Sequence, residues 1–168
     1  MVPKDATVGE LFDLAIRAEK AAEEMYSGLE AKFAHYPEVA DFWGQYATEE
    51  AGHTRWLERL RDRLSPEKLS ELADSHALEN ARVVLGFSVE DALEEIENLQ
   101  DAYQMANELE SSETNAVFEF LITHFSYDEE TQSFLKAQLR EHVAKLTTKF
   151  PAQFKDAAMR LSVEAGGI

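Results

Sequence analysis

An all-α bundle is the fold class this 168-residue chain predicts. Apolar residues recur at helical spacing along most of it, only seven glycines and four prolines interrupt them, and no run alternates convincingly as a strand would. With 45% hydrophobic and 10% aromatic residues, the chain is long enough for one sizeable core and short for two. Residues 1–168 therefore read as a single domain.

The first predicted helix covers about 8–35. It starts from the Thr7 cap with Glu10 three residues on, and carries Leu11, Leu14, Ala15, Ala18, Ala22, Met25, Tyr26, Leu29 and Phe33 on one stripe. The second covers about 37–64: Pro37 opens it, Ser65-Pro66 stops it, and Val39, Phe42, Trp43, Tyr46, Trp56, Leu57, Leu60 and Leu64 face inward. Residues 65–87 are apolar without a sustained stripe and read as a long crossover with short helical pieces. The third helix, about 89–110, begins at the Ser88 cap with Asp91 three on, and the polar Ser111-Ser112 step closes it. The fourth, about 115–149, turns Phe118, Leu121, Ile122, Phe125, Leu135, Leu139, Val143 and Leu146 inward, and Pro151 opens a short C-terminal helix to about 163.

Composition excludes several functions. Thirty-three acidic residues against 16 basic ones, a formal net charge of -17, would repel a phosphate backbone, so no nucleic-acid partner is expected. An acidic exterior gathers cations instead. The absence of cysteine removes disulfides, thiolate zinc sites and cysteine-held iron. The N-terminus lacks an apolar signal core and no run approaches the ~18 apolar residues of a bilayer span, so a cytoplasmic protein with no membrane partner is expected. No Ser-His-Asp arrangement or phosphate-cradling glycine loop supports hydrolytic or nucleotide chemistry.

One motif carries chemistry. Glu50-Ala51-Gly52-His53 places a carboxylate and an imidazole three apart, on one side of the second helix. Glu19 lies among Ala15, Ala18, Ala22 and Tyr26 on the apolar side of the first, although Glu23 and Glu24 beside it are what a solvated face would show. Oxygen and nitrogen donors of this kind grip a cation between packed helices. An internal repeat extends the pattern. Thr7-Val8-Gly9-Glu10-Leu11 resembles Ser88-Val89-Glu90-Asp91-Ala92 at an offset of 81 (88 minus 7), which sets Gln100 against Glu19. The apolar residues 4, 7, 8 and 11 before Glu50 are matched before Glu129 by Phe125, Ile122, Leu121 and Phe118, an offset of 79 (129 minus 50), which sets Gln132 against His53. An alternative register sets His142 against His53 and Leu139 against Glu50. The four matched spacings favour Glu129 and leave His142 a packing or capping histidine.

Two helix pairs joined by a crossover, with these inward carboxylates and Glu-x-x-His, resemble the ferritin-like four-helix bundles and, among them, the rubrerythrin-like proteins, over most of residues 7–146. In that family two helices each give a glutamate and the other two each give Glu-x-x-His, together holding two irons. The resemblance implies Glu19, Glu50, His53 and Glu129 as metal ligands, with a second position weakened by Gln100 and Gln132. Those two departures make the di-iron site a degenerate one and the lack of cysteine leaves no rubredoxin module, while the resemblance also implies a homodimer and iron as cofactor; manganese and zinc also suit the donors. Tyr26, seven after Glu19, fits the family pattern. Tyr103 stands where rubrerythrins carry a second glutamate three after the third-helix ligand. Two functions follow: a non-haem iron oxidoreductase reacting with dioxygen or peroxide, or a non-catalytic metal carrier or structural protein that has lost two-metal chemistry.

Overall fold

The computed structural model describes residues 6–154, and among them all regular structure is helical apart from one isolated bridge between Thr7 and Leu72. Helix α1 (Val8–Lys32) starts from a complete capping box: the Thr7 hydroxyl accepts from the Glu10 amide and the Glu10 carboxylate accepts from the Thr7 amide. Helix α2 (Pro37–Asp62) returns antiparallel to it, with Pro37 in its first turn. Three short helices form the crossover: α3 (Pro66–Leu69), α4 (Ser75–Val84) and α5 (Val89–Glu95). Asp74 caps α4, whose buried Ala77, Leu78, Ala81 and Val84 pack toward α1 and α7. Leu93 of α5 docks so closely on α1 that a Cβ at Gly28 would lie 2.3 Å from its Cδ1.

The second half divides differently from the sequence expectation. The expected third helix, 89–110, is broken at Ile96–Asn98, where Ile96 and Asn98 are extended. The Asn98 side chain accepts from the Asp101 amide and Asp101 accepts from the Glu97 amide, so local side-chain bonds outcompete helix continuation and start α6 (Leu99–Glu110) afresh. Ser111-Ser112 is no bundle-end turn. Ser112 caps α7 (Glu113–Phe125), and α6 and α7 run in succession along α1, α6 beside its C-terminal half and α7 beside its N-terminal half. Together they form one interrupted rod. The real turn is Ser126–Asp128, after which Asp128 caps α8 (Glu129–Thr148), the fourth rod. The expected C-terminal helix lies mostly outside the described residues.

Four rods with a long crossover between the second and third make this a ferritin-like bundle. Its apolar core comes in two clusters, one at each end. On α1 the clusters end at Ile16 and resume at Ala22; on α2 they end at Ala47 and resume at Leu57; on the third rod the gap runs from Leu109 to Val117; on α8 it runs from Leu139 to Leu146. The middle layer of all four rods is thus left to other residues. No described helix is long and apolar enough to cross a membrane.

Leu121 is fully buried in one cluster, whereas Leu72 is 67% exposed. Leu121→Ala should cost about 2–5 kcal/mol in urea unfolding, and Leu72→Ala should stay within about 0.5 kcal/mol.

Candidate metal centre

The gap between the two apolar clusters holds Glu19 from α1, Glu50 and His53 from α2, Glu110 from the end of α6 and His142 from α8, all of them buried. Glu50 is the centre of the group. Its Oε2 lies 2.9 Å from His53 Nδ1 and its Oε1 lies 3.0 Å from His142 Nε2. Glu19 Oε2 approaches His53 Nδ1 at 3.5 Å, and Glu110 Oε2 approaches His142 Nε2 at 3.1 Å. The two imidazole centroids are 4.8 Å apart. Despite these approaches, Glu19 Oε2 and His142 Nε2 make no aligned hydrogen bond. Buried polar atoms are rarely left so, and lone pairs that converge without bonding one another are what a cation would satisfy. Donor atoms of Glu50, His53 and His142 fall within 4.8 Å of one another, close enough to share one ion.

Neighbouring groups hold the donors in place. The Tyr26 hydroxyl donates to Glu110 Oε1, and Asn115 Nδ2 donates to Glu110 Oε2 at 3.1 Å and to its carbonyl at 2.9 Å. Glu49 Oε2 lies 2.7 Å from His142 Nδ1 and Lys145 pairs with the other Glu49 oxygen. A carboxylate on the outer imidazole nitrogen fixes the tautomer and directs Nε2 inward. Phe118 packs its ring 4.6 Å from that of His53.

Of the residues singled out in the sequence, Glu19, Glu50 and His53 come together here. Glu129, Gln100 and Gln132 do not. Glu129 is an exposed first-turn residue of α8, 13 positions before His142 and therefore about 20 Å away along the helix at ~1.5 Å per residue. Gln132 is half-buried and donates toward the Thr123 carbonyl at 3.4 Å. Gln100 sits in the first turn of α6, ten residues before Glu110, about 15 Å along the rod. The register that sets His142 against His53 is the one the fold adopts, and the matched spacings before Glu129 reflect only that α7 is itself a buried helix. Glu110 is a group the sequence reading missed. The signal for it is an offset of 91 (110 minus 19), under which the buried Leu11, Ala15, Ala18 and Tyr26 answer to the buried Ala102, Ala106, Leu109 and Val117.

The corrected register changes what is lacking. Glu19 with His53 and Glu110 with His142 form two matched pairs about Glu50, so the deficit is not on one side. Among the described side chains no second carboxylate shares Glu50's central place: Leu139, buried one turn before His142, stands where Glu50 stands relative to His53. The place three after the third-rod glutamate is Glu113, not Tyr103.

Burial and the Glu50 charge push the Glu19 carboxyl well above its usual range, His53 opposing them. Burial would also raise Glu50, but His142 and His53 overcome it and hold that carboxyl far below its usual range. Burial disfavours both imidazolium ions; Glu19 and Glu50 override it to lift His53 to about 9, and Glu110, Glu49 and Glu50 lift His142 to about 12. Without metal, protons do the work of a cation. Glu19 and His53 both bind protons more tightly folded than unfolded, so both favour folding less as pH rises. Metal-free protein should lose stability as pH rises from 4.5, the ordinary value for Glu19, through 6.5, the ordinary histidine value, to about 9, with His142 carrying the loss on toward about 12. Thermal melts in chelator should show that fall, and a divalent cation should reverse the slope because it displaces the same protons. A melt in chelator that stays flat across the window would contradict the protonation scheme.

Comparison with known proteins agrees with this geometry. A family model described as Rubrerythrin matches residues 10–143, which span Glu19, Glu50, His53, Glu110 and His142. No curated protein matches the chain, and no solved structure does. The family match, the four-rod bundle and the buried glutamate-histidine cluster agree that this is a metal-binding ferritin-like protein, and the chain belongs to the rubrerythrin family.

Proposed function

We propose that the cluster is a non-haem iron centre of oxidoreductase type, with Glu19, Glu50 and His53 holding one ion and Glu50, Glu110 and His142 the other. The observation that carries this reading is the convergence of three buried carboxylates and two imidazoles in which Glu19 Oε2 and His142 Nε2 make no aligned hydrogen bond. Carboxylate and imidazole donors suit iron(II), with manganese(II) and zinc as competitors. Iron so held supplies electrons and open positions for dioxygen or peroxide. The chain's own part is placement. Tyr26 and Asn115 orient Glu110, Glu49 orients His142, and the apolar clusters above and below keep bulk water from the layer.

A second reading has one observation in its favour: α8 gives the layer the buried Leu139 where α2 gives it Glu50. A centre short of a bridging oxygen fits a metal carrier or structural protein that no longer performs two-metal chemistry. Metal analysis after purification with iron separates the two. Near two irons per chain with peroxide consumption supports the oxidoreductase; one inert ion supports the carrier, and none the structural protein.

Two substitutions probe the ligand set. Leu139→Glu restores the missing carboxylate and should raise iron stoichiometry or affinity; an unchanged value would remove Leu139 as the reason for any deficit. Glu49→Gln weakens the support of His142 and should lower metal affinity by about 10–100-fold in a competition titration.

A further inference from the structure

The layer is sealed unequally. On the α1 side the crossover helices α3, α4 and α5 pack over the bundle. On the opposite side a cleft of ≈ 1050 Å³ opens between α2 and α8, and its walls include both His53 and His142. Neither Glu19 nor Glu110 lines it. Four carboxylates, Glu38, Asp41, Glu49 and Glu141, line this cleft against two lysines, Lys145 and Lys149, and Lys145 is paired with Glu49. A cleft of this charge in an acidic protein concentrates cations over anions. At its inner end lies the buried cluster, where His142 Nε2 approaches Glu50 and Glu110 without an aligned hydrogen bond.

Gly52 also lines the cleft, one residue before His53 and in the middle of α2. Glycine is the poorest helix former after proline, and here nothing in the backbone asks for it, since no described glycine has positive φ. Nor does crowding. Among the described residues a Cβ at Gly52 would meet only Arg55 Nη2, at 3.8 Å, in contrast to Gly28, where Leu93 fills the space. A side chain at Gly52 would instead project into the cleft beside His53. We propose that the α2–α8 cleft is the route by which divalent cations reach the buried cluster, and that Gly52 keeps it open.

The inference rests on the metal-binding reading above, and cobalt(II) uptake separates the two. Metal-free protein is mixed with cobalt(II), and metal retained after rapid desalting is followed with time. Gly52→Ala should melt higher than wild type and load as fast. Gly52→Phe should load severalfold more slowly and reach the same final stoichiometry. Asp41→Asn with Glu141→Gln, two exposed positions away from the ligands, should slow loading at low ionic strength, with the difference vanishing at high salt. No cobalt retained by wild type at equilibrium would overturn the metal-binding reading itself. Normal retention with Gly52→Phe loading at the wild-type rate would overturn the route alone. Should Gly52→Phe misfold or lose capacity, the charge pair decides: an unchanged low-salt rate overturns the proposal.

Discussion

Glu50 is shared by two imidazoles, 2.9 Å from His53 and 3.0 Å from His142, in a layer that buries two further carboxylates. Desolvating an ionised carboxylate costs several kcal/mol even after relaxation, so this layer opposes folding unless positive charge enters it. Protons on the imidazoles can supply that charge, and so can a metal. The rest of the bundle is arranged around the constraint. Each rod is apolar at both ends and interrupted in the middle at one level, and the two apolar clusters provide the burial that keeps the layer intact whichever cation fills it.

The interruption of the third rod belongs to the same arrangement. Glu110 is the last residue of α6, where the helix dipole disfavours a negative charge. The break at Ser111-Ser112 brings Asn115 back against Glu110, so that one amide serves both its carboxylate and its carbonyl. Tyr26, stacked on Trp43 with ring centroids 5.9 Å apart, supplies the second donor from the neighbouring α1. An uninterrupted helix would place Asn115 more than a turn beyond Glu110, on a different face.

Local signals were legible in the sequence and long-range register was not. The Thr7–Glu10 box, Pro37 and the Ser65-Pro66 stop act within a few residues, and each marks a real boundary. Glu50 and His53 share one helix turn, so their spacing alone places them together. Pairing the two halves requires knowing which polar step ends a rod. Ser111-Ser112 and Ser126–Asp128 are both polar and both are followed by capped helices, so composition cannot rank them. A turn at Ser111-Ser112 would shift the fourth rod by more than three turns, with Glu129 in the layer in place of His142. Leu135, Leu139 and Leu146, which answer to Tyr46, Glu50 and Leu57 at an offset of 89 (142 minus 53), record the register that tertiary packing selects.

The unequal sealing of the layer gives its donors different surroundings. The outer carboxylates Glu19 and Glu110 come from the rods beneath the crossover, while both imidazoles come from α2 and α8, which border the cleft. Glu19 has a carboxyl pushed up by burial, whereas Glu49, half-exposed at the cleft, is held low because His142 and Lys145 outweigh its partial burial. A cation arriving from the cleft would meet Glu49 and the imidazoles first.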